Sequence, residues 1–368
     1  MGSKTFVRSC SYDYGRLKPL IFEMLSLLDR EGLISRGKQI LIKPNLLAPA
    51  RPEEAVVTHH SLVKAVVEYV LFLGGKPVVA DSPAMGSWDR LIKISGLKDA
   101  LTGLPVRLGP FSDSTFVDIG EPFGRIELAR EAVEAEVIIN LPKLKTHAQM
   151  LLTLGVKNMF GCVVGLRKPK WHMQMGERKD LFARLLVQIC KTLKPAFTVV
   201  DGILALEGEG PRAGGRPREL GYIIAGDDPF AVDAAICRLL KVKEEDLLTL
   251  SVAKGLGFFP GEVEIEGEYE GVNDFLLPPP STLLFGPPFL HGILRRCFLE
   301  RPVCAQDSCL FCGQCGEFCP AEAIKVGERK LIIDYNKCIR CYCCIEVCPE
   351  GAIRMGKPFL RRILANRG

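Results

Sequence analysis

The feature that most constrains this chain is a cysteine spacing that occurs twice near its C-terminal end. Cys309, Cys312, Cys315 and Cys319 are followed by Pro320, and Cys338, Cys341, Cys344 and Cys348 by Pro349, so both runs read C-x-x-C-x-x-C-x-x-x-C-P. Three thiols at two-residue intervals let a tight loop wrap one face of a cubane iron–sulfur cluster, while the fourth, displaced beyond a turn, ligates the other cluster of the pair. Cys309, Cys312, Cys315 and Cys348 are therefore expected to hold one [4Fe-4S] cluster, and Cys338, Cys341, Cys344 and Cys319 a second. Zinc-binding cysteine pairs would not place a third cysteine and a Cys-Pro at these intervals.

The duplication runs past the ligands, since Pro320-Ala321-Glu322-Ala323-Ile324-Lys325 matches Pro349-Glu350-Gly351-Ala352-Ile353-Arg354. Each proline is expected at the first position of a short helix, where its missing N–H costs nothing, and the matched Ala and Ile are expected to pack the halves about a pseudo-twofold axis. Residues 301–356 resemble the bacterial-type two-cluster ferredoxin in every ligand position. Cys297, Cys304 and Cys343 fall outside the pattern and read as packed or idle thiols, a redox-active thiol being the alternative.

At 368 residues the chain is too long for a ferredoxin alone and long enough for a sizeable α/β domain with a small appendage. Its composition, 48% hydrophobic and 25% charged, allows a true core. The formal net charge of +5 is spread rather than blocked, which argues against a dedicated nucleic-acid binder but leaves room for a locally basic pocket. The stretch from Met1 to Cys10 lacks the pattern of a secretory signal, and no apolar run approaches the roughly 20 residues that span a bilayer. The expectation is a cytoplasmic protein without a transmembrane segment. In such a protein the 15 cysteines are metal ligands or buried thiols rather than a disulfide framework.

Up to about residue 270, β-branched runs alternate with amphipathic stretches. Strands are expected at 5–9, 39–42, 77–80, 137–139, 197–200 and 221–225, and helices at 17–31, 62–73, 181–191, 230–240 and 244–254. The expected fold class is α/β, a largely parallel sheet covered by helices, with a C-terminal ferredoxin-like α+β domain. The expected domains are 1–270, a Pro-rich linker over 271–300, the cysteine segment over 301–356 and a basic tail over 357–368. Proline forbids a regular helix over 276–294, which reads as a linker lying on the larger domain, with a membrane-surface or partner-docking segment as the alternative. The tail reads as solvated, or as a docking element for an acidic electron-transfer partner.

In open parallel sheets ligands bind beyond the carboxyl ends of the strands. There lie Lys43 and Asn45, Asp81 and Ser82, the loop NLPKLKTH with Asn140, Lys143, Lys145 and His147, and Asp201 with Glu207. These are expected to converge on one cleft. Lys43, Lys143, Lys145 and Lys157 are read as holding an anionic group such as a phosphate or carboxylate; the alternative is ordinary solvated lysine. His147 and His172 are candidate proton donors to a reduced substrate, because an unperturbed imidazole titrates near neutrality, and each has a packed or solvent-facing alternative. His172 follows Gly161-Cys162-Val163-Val164-Gly165, whose glycines permit close approach to a ligand. Asp81 is a third catalytic candidate and, with Asp201 and Glu207, raises a divalent-cation alternative. Thr58 is expected to cap the helix after it, Asp228 to cap the helix opened by Pro229, and His59 to face the cleft.

Taken in order, IKPNLL, VTHHSLVKAVVEYV, VVADSPA, INLPKLKTH, GVKNMFGCVVG and VVDGILALEGEGP resemble a family catalogued as domain of unknown function 362, from Lys38 to about Leu256. The resemblance implies that Lys43, Asn45, His59, Asp81, Lys143, Lys145, His147, Lys157, Asn158, Asp201 and Glu207 occupy family motif positions. It also implies that a C-terminal ferredoxin module is common among members. The chain departs at Val57 and His60, where many members have a threonine and a proline. The family name brings no reaction.

GEGPRAGG has the wrong glycine spacing for a nicotinamide fingerprint, and no G-x-x-x-x-G-K-[ST] loop is present. A flavin remains compatible, since flavin sites lack one universal short motif. The leading expectation is a ferredoxin-fed reductase that takes electrons from a redox partner protein and reduces an anionic small molecule or bound cofactor. The alternatives are a non-catalytic electron-transfer subunit docking a partner enzyme, and a cofactor-assembly or redox-sensing protein.

Overall fold

The computed structural model describes residues 3–83, 86–165, 167–175, 178–212, 214–267, 269–278 and 301–356. Cys297, most of the expected linker and the basic tail lie outside the described residues. One sheet of ten strands organises the larger domain. Its strands are Ser3–Ser9 (β1), Gln39–Pro44 (β2), Lys76–Asp81 (β3), Arg107–Pro110 (β4), Val137–Leu141 (β5), Lys143–His147 (β6), Leu151–Thr153 (β7), Phe197–Glu209 (β8), Gly214–Gly226 (β9) and Val263–Glu266 (β10). The order is β10-β1-β9-β8-β5-β2-β3-β4, with β6 beside β8 and β7 beside β6.

The centre, β8-β5-β2-β3-β4, is parallel, and β1, β8 and β6 meet β9 or β7 antiparallel. Central strands covered on both faces must be apolar along their length. β2 is buried at every residue but its first, with Ile40 and Ile42 in one core and Leu41 in the other. Helices Tyr14–Leu28 and His60–Phe72 cover one face through Leu17, Ile21, Val63 and Val66. Lys179–Leu193, Pro229–Leu239 and Leu248–Gly255 cover the other through Phe182, Phe230 and Leu250.

Three expectations about the elements of the larger domain are corrected. The strands expected at 197–200 and 221–225 are the inner ends of a hairpin of two 13-residue strands, paired from Thr198 opposite Gly226 out to Glu209 opposite Gly214. Its outer half is bound by charges, Arg216 and Arg218 on Glu207, so no apolar alternation marks it. The supposed loop NLPKLKTH is largely strand: β5 ends at Leu141, one proline turns the chain, and β6 begins at Lys143. The helix expected over 244–254 breaks at Leu247 into a turn, Glu244–Asp246, and the helix Leu248–Gly255. Glu244 there is drawn to Arg238 at 3.1 Å and Lys254 at 2.8 Å.

The C-terminal segment pairs Arg301–Cys304 with Ile353–Gly356 and Ile324–Val326 with Leu331–Ile333. Ile324 and Ile353, matched in the duplication, share its core with Leu331 and Val347, and Ala48 of the larger domain completes it. The residues after Pro320 and Pro349 form turns, not helices; the short helices, Gln314–Glu317 and Cys343–Val347, lie inside the cysteine runs.

Candidate functional site at the domain joint

Alternate residues of a strand share a face, and on β6 these are Lys143, Lys145 and His147, all buried. They lead from the interior of the larger domain to the cysteine segment. Lys143 Nζ donates to Asp201 Oδ2 and to Tyr12 Oη, both at 2.9 Å. Lys145 Nζ donates to Asn45 Oδ1 at 2.7 Å and to the Val56 carbonyl at 2.8 Å. His147 Nδ1 accepts the backbone N–H groups of Gln149 and Met150, which leaves the proton on Nε2, and Nε2 lies 2.6 Å from Glu346 Oε1 of the cysteine segment.

Between the two domains is a cavity of about 90 Å³, room for several ordered waters or a small molecule in their place. The larger domain contributes Lys43, Asp81, Lys157 and Lys168 to its wall, and the cysteine segment contributes Phe318, Cys343, Glu346 and Val347. Lys43 Nζ donates to Asp81 Oδ1 at 2.8 Å and to the Pro44 carbonyl at 2.9 Å, and Asp81 also accepts the N–H groups of Leu46 and Ser82. Lys168 Nζ donates to the Ser82 carbonyl, and Ser82 Oγ accepts from Gly165 N–H. Asn45 donates to Asn158 Oδ1 at 2.8 Å, and Asn158 in turn donates to Asn140. Gly161 is required here, because a Cβ would collide with Lys43 and Asp81. What approaches its backbone is that ion pair.

Burial dominates the electrostatics. It lowers Lys157 and Lys145 from the ordinary lysine range, Lys145 further because Lys157 is near, and brings Lys168 down to about 8. It holds His147 and His172 neutral, each at about 4. Burial would raise Asp81 and Glu346, but Lys43 beside the first and His147 and Lys157 beside the second keep both below the usual carboxylate range.

The remaining expected residues do not reach the cavity wall. Lys143 and Asp201 form a closed cluster with Tyr12, whose hydroxyl donates to Asp201 Oδ1 at 2.6 Å and whose ring stacks on His59 at 3.7 Å. His59 thus packs inside instead of facing the cleft. Its Nδ1, not Thr58, caps the helix by accepting from Ser61 N–H, while Thr58 Oγ1 bridges Asn45 N–H and the Leu141 carbonyl. Glu207 is taken by Arg216, Arg218 and Leu276 N–H. Asp81, Asp201 and Glu207, the carboxylates of the divalent-cation alternative, do not come together: each is paired with a different lysine or arginine of the protein. Asp228 caps its helix as expected, accepting from Phe230 and Ala231.

The eight patterned cysteines line two further cavities. Cys309, Cys312, Cys315 and Cys348 border one, and Cys319, Cys338, Cys341 and Cys344 the other, with Cys343 between the latter and the joint. The N–H groups of Ala323 and Ala352, matched in the duplication, point at the sulfurs of Cys319 and Cys348 at 3.3 and 3.2 Å. Four thiols about each space, with N–H donors turned to the sulfurs, are the donor chemistry of iron–sulfur ligation. Cys304 lies beside Cys309.

Residue reading missed Tyr12, Thr153, Lys168, Phe318 and Glu346. Lys168 carried a signal, a lysine close after the glycine pair; Glu346, inside a cysteine run, carried none.

The sequence matches the family described as domain of unknown function (DUF362) over residues 40–238 and the 4Fe-4S binding domain over 331–354. It is 38% identical over 264 residues to the thylakoid-associated protein sll1697 of Synechocystis sp., covering 72% of this chain and 82% of that one. Among solved structures, the lactate racemase apoprotein from Thermoanaerobacterium thermosaccharolyticum is similar at a TM-score of 0.38 and 13% identity, over 58% of this chain and 53% of that one. The chain thus spans about half of that racemase, and a likeness so slight carries no argument. No helix among the described residues is long and apolar enough to cross a membrane.

Proposed function

The chain belongs to the DUF362 family and carries a 4Fe-4S binding domain, and from that premise we propose that it is an iron–sulfur reductase acting on an anionic small molecule, or a bound cofactor, held in the cavity at the domain joint. The observation that carries this reading is that one wall of the cavity is buried lysine and the opposite wall is the second cysteine run. Two [4Fe-4S] clusters are held by the crossed thiol sets, Cys309, Cys312, Cys315 and Cys348 for one and Cys338, Cys341, Cys344 and Cys319 for the other. When bound, these groups supply single electrons. Cys312 is exposed and flanked by exposed Leu310, the end that suits a redox partner protein. Cys343 and Val347 separate the second thiol set from the joint cavity.

In this reading Lys157 and Lys168 bind the substrate, Lys43 is held in place by Asp81, and Asn45 and Asn158 brace the floor. His172 on the wall is neutral in the empty cavity; a bound anion favours its protonated form, and the imidazolium then gives that proton to the reduced product and returns to neutral. His147 sits behind Glu346 and positions it. The testing experiment is anaerobic purification of the full chain with its iron intact, followed by mass spectrometry of released small molecules. An anionic metabolite or a flavin that is lost on Lys157→Ala supports the reading. If nothing accompanies the protein, and Lys157→Ala and Lys168→Ala pass electrons to a partner at the wild-type rate, the protein is a carrier and the reading fails.

A further inference from the structure

Buried polar groups in proteins are normally hydrogen-bonded, and the joint cavity breaks that rule on one side. Thr153 and His172 are 3% and 5% exposed, both line the cavity, and neither Thr153 Oγ1 nor His172 Nδ1 has a partner. Lys157 lines the same cavity, and its side chain makes no hydrogen bond or close ion pair among the described residues, Glu346 acting on it through charge alone. A hydroxyl, an imidazole nitrogen and an ammonium thus line one cavity without hydrogen-bond partners, and with the ring proton on Nδ1 the three are donors that suit an oxyanion.

The charges at the joint point the same way. Lys43, Lys157 and Lys168 line the cavity and Lys145 lies directly behind Asn45, against the carboxylates Asp81 and Glu346. Four formal positive charges face two negative ones. Two buried positive charges without counter-charge are costly, and such groups shed their protons unless an anion arrives; the lowering of Lys145, Lys157 and Lys168 reflects that cost. The charge of the thiolate-held centre behind Phe318 and Cys343 could balance the lysines, but it would leave the hydroxyl and the imidazole without acceptors.

We infer that the cavity takes a small dianion, a phosphate or a dicarboxylate, with one oxyanion group held by Lys157, Thr153 and His172. The inference rests on the joint cavity being the substrate site, but concerns binding alone and needs no electron transfer. Its test is calorimetric titration of the oxidised, iron-replete full chain with inorganic phosphate and with succinate, against acetate and neutral succinamide, near pH 8. The expected result is that at least one dianion binds, with proton uptake that differs between buffers of different ionisation heat. Losing one charged hydrogen-bond partner weakens binding about tenfold or more, so acetate, and each of Lys157→Met and Thr153→Val tested with the dianion, should fall by at least that factor. Thr153→Val is nearly isosteric and guards against a folding defect in the lysine variant. The inference is overturned if neither dianion binds at millimolar concentration, if succinamide binds as well as succinate, or if both variants bind like the wild type. A bound dianion that is never reduced would sink the reductase and leave this inference standing.

Discussion

Two lysine–carboxylate pairs lie buried in the same domain, and their surroundings differ in one respect. Lys143 meets Asp201 at 2.9 Å and Lys43 meets Asp81 at 2.8 Å, each lysine fully buried. Asp201 is surrounded by donors, Tyr12 Oη, Lys143 Nζ and His59 N–H, and none of these lines the joint cavity. Asp81 is just as well bonded, by Lys43, Leu46 and Ser82, yet it shares the joint cavity with Thr153 Oγ1 and His172 Nδ1, which lack hydrogen-bond partners. A buried ion pair is thus no mark of function by itself. The unmet groups beside it are what ask for a ligand.

The largest effect should come from breaking the closed pair. Asp201→Ala leaves the fully buried Lys143 ammonium with Tyr12 Oη but no carboxylate, a change that costs about 3–5 kcal/mol. Asp81→Ala should cost less, about 1–3 kcal/mol, because cavity water can reach Lys43. Denaturant midpoints of the two variants decide the matter; equal losses would mean that the two surroundings do not differ as described.

The same contrast governs what could be read before the structure. The cysteine runs were legible because the spacing within a loop is itself the ligand geometry, and β2 and β5 because strands covered on both faces leave unbroken apolar runs. β6 was not, since three of its five residues are Lys143, Lys145 and His147, and only partners distant in sequence, Asp201, Asn45 and Glu346, make their burial tolerable. Motif positions alone also could not separate Lys143 and Asp201 from Lys43 and Asp81. In sequence both pairs read as following strand ends, and which one borders the joint cavity depends on where the second domain docks.

Acid should separate the two clusters next. His59 in the closed one and His172 in the open one are each held at about 4 by burial, against an ordinary value near 6.5. Between those values the unfolded chain binds more protons than the folded one, so stability rises with pH there and is lost as pH falls from about 6.5 toward 4. The depressed carboxylates Asp81 and Glu346 add their loss only below the ordinary carboxylate range. His59→Phe and His172→Phe should each flatten the slope of stability against pH in this window by about one proton. Only His172→Phe should also reduce stabilisation by an added dianion. Denaturation series across this pH range, with and without succinate, read both effects.

The smallest effect belongs to the third carboxylate, Glu207, which lies on the outer half of the hairpin. Its side chain is buried, but it divides its bonds among Arg216, Arg218 and Leu276 N–H, and the Arg216 side chain is 67% exposed. An exposed partner contributes little because water and salt screen it and ordering the long side chain costs entropy. Arg216→Ala should therefore change stability by less than about 1 kcal/mol and leave dianion binding unchanged. A larger loss, measured by denaturant midpoint at low and high salt, would mean that Glu207 behaves like the closed Asp201 cluster, and that burial of the carboxylate alone outweighs the exposure of its partner.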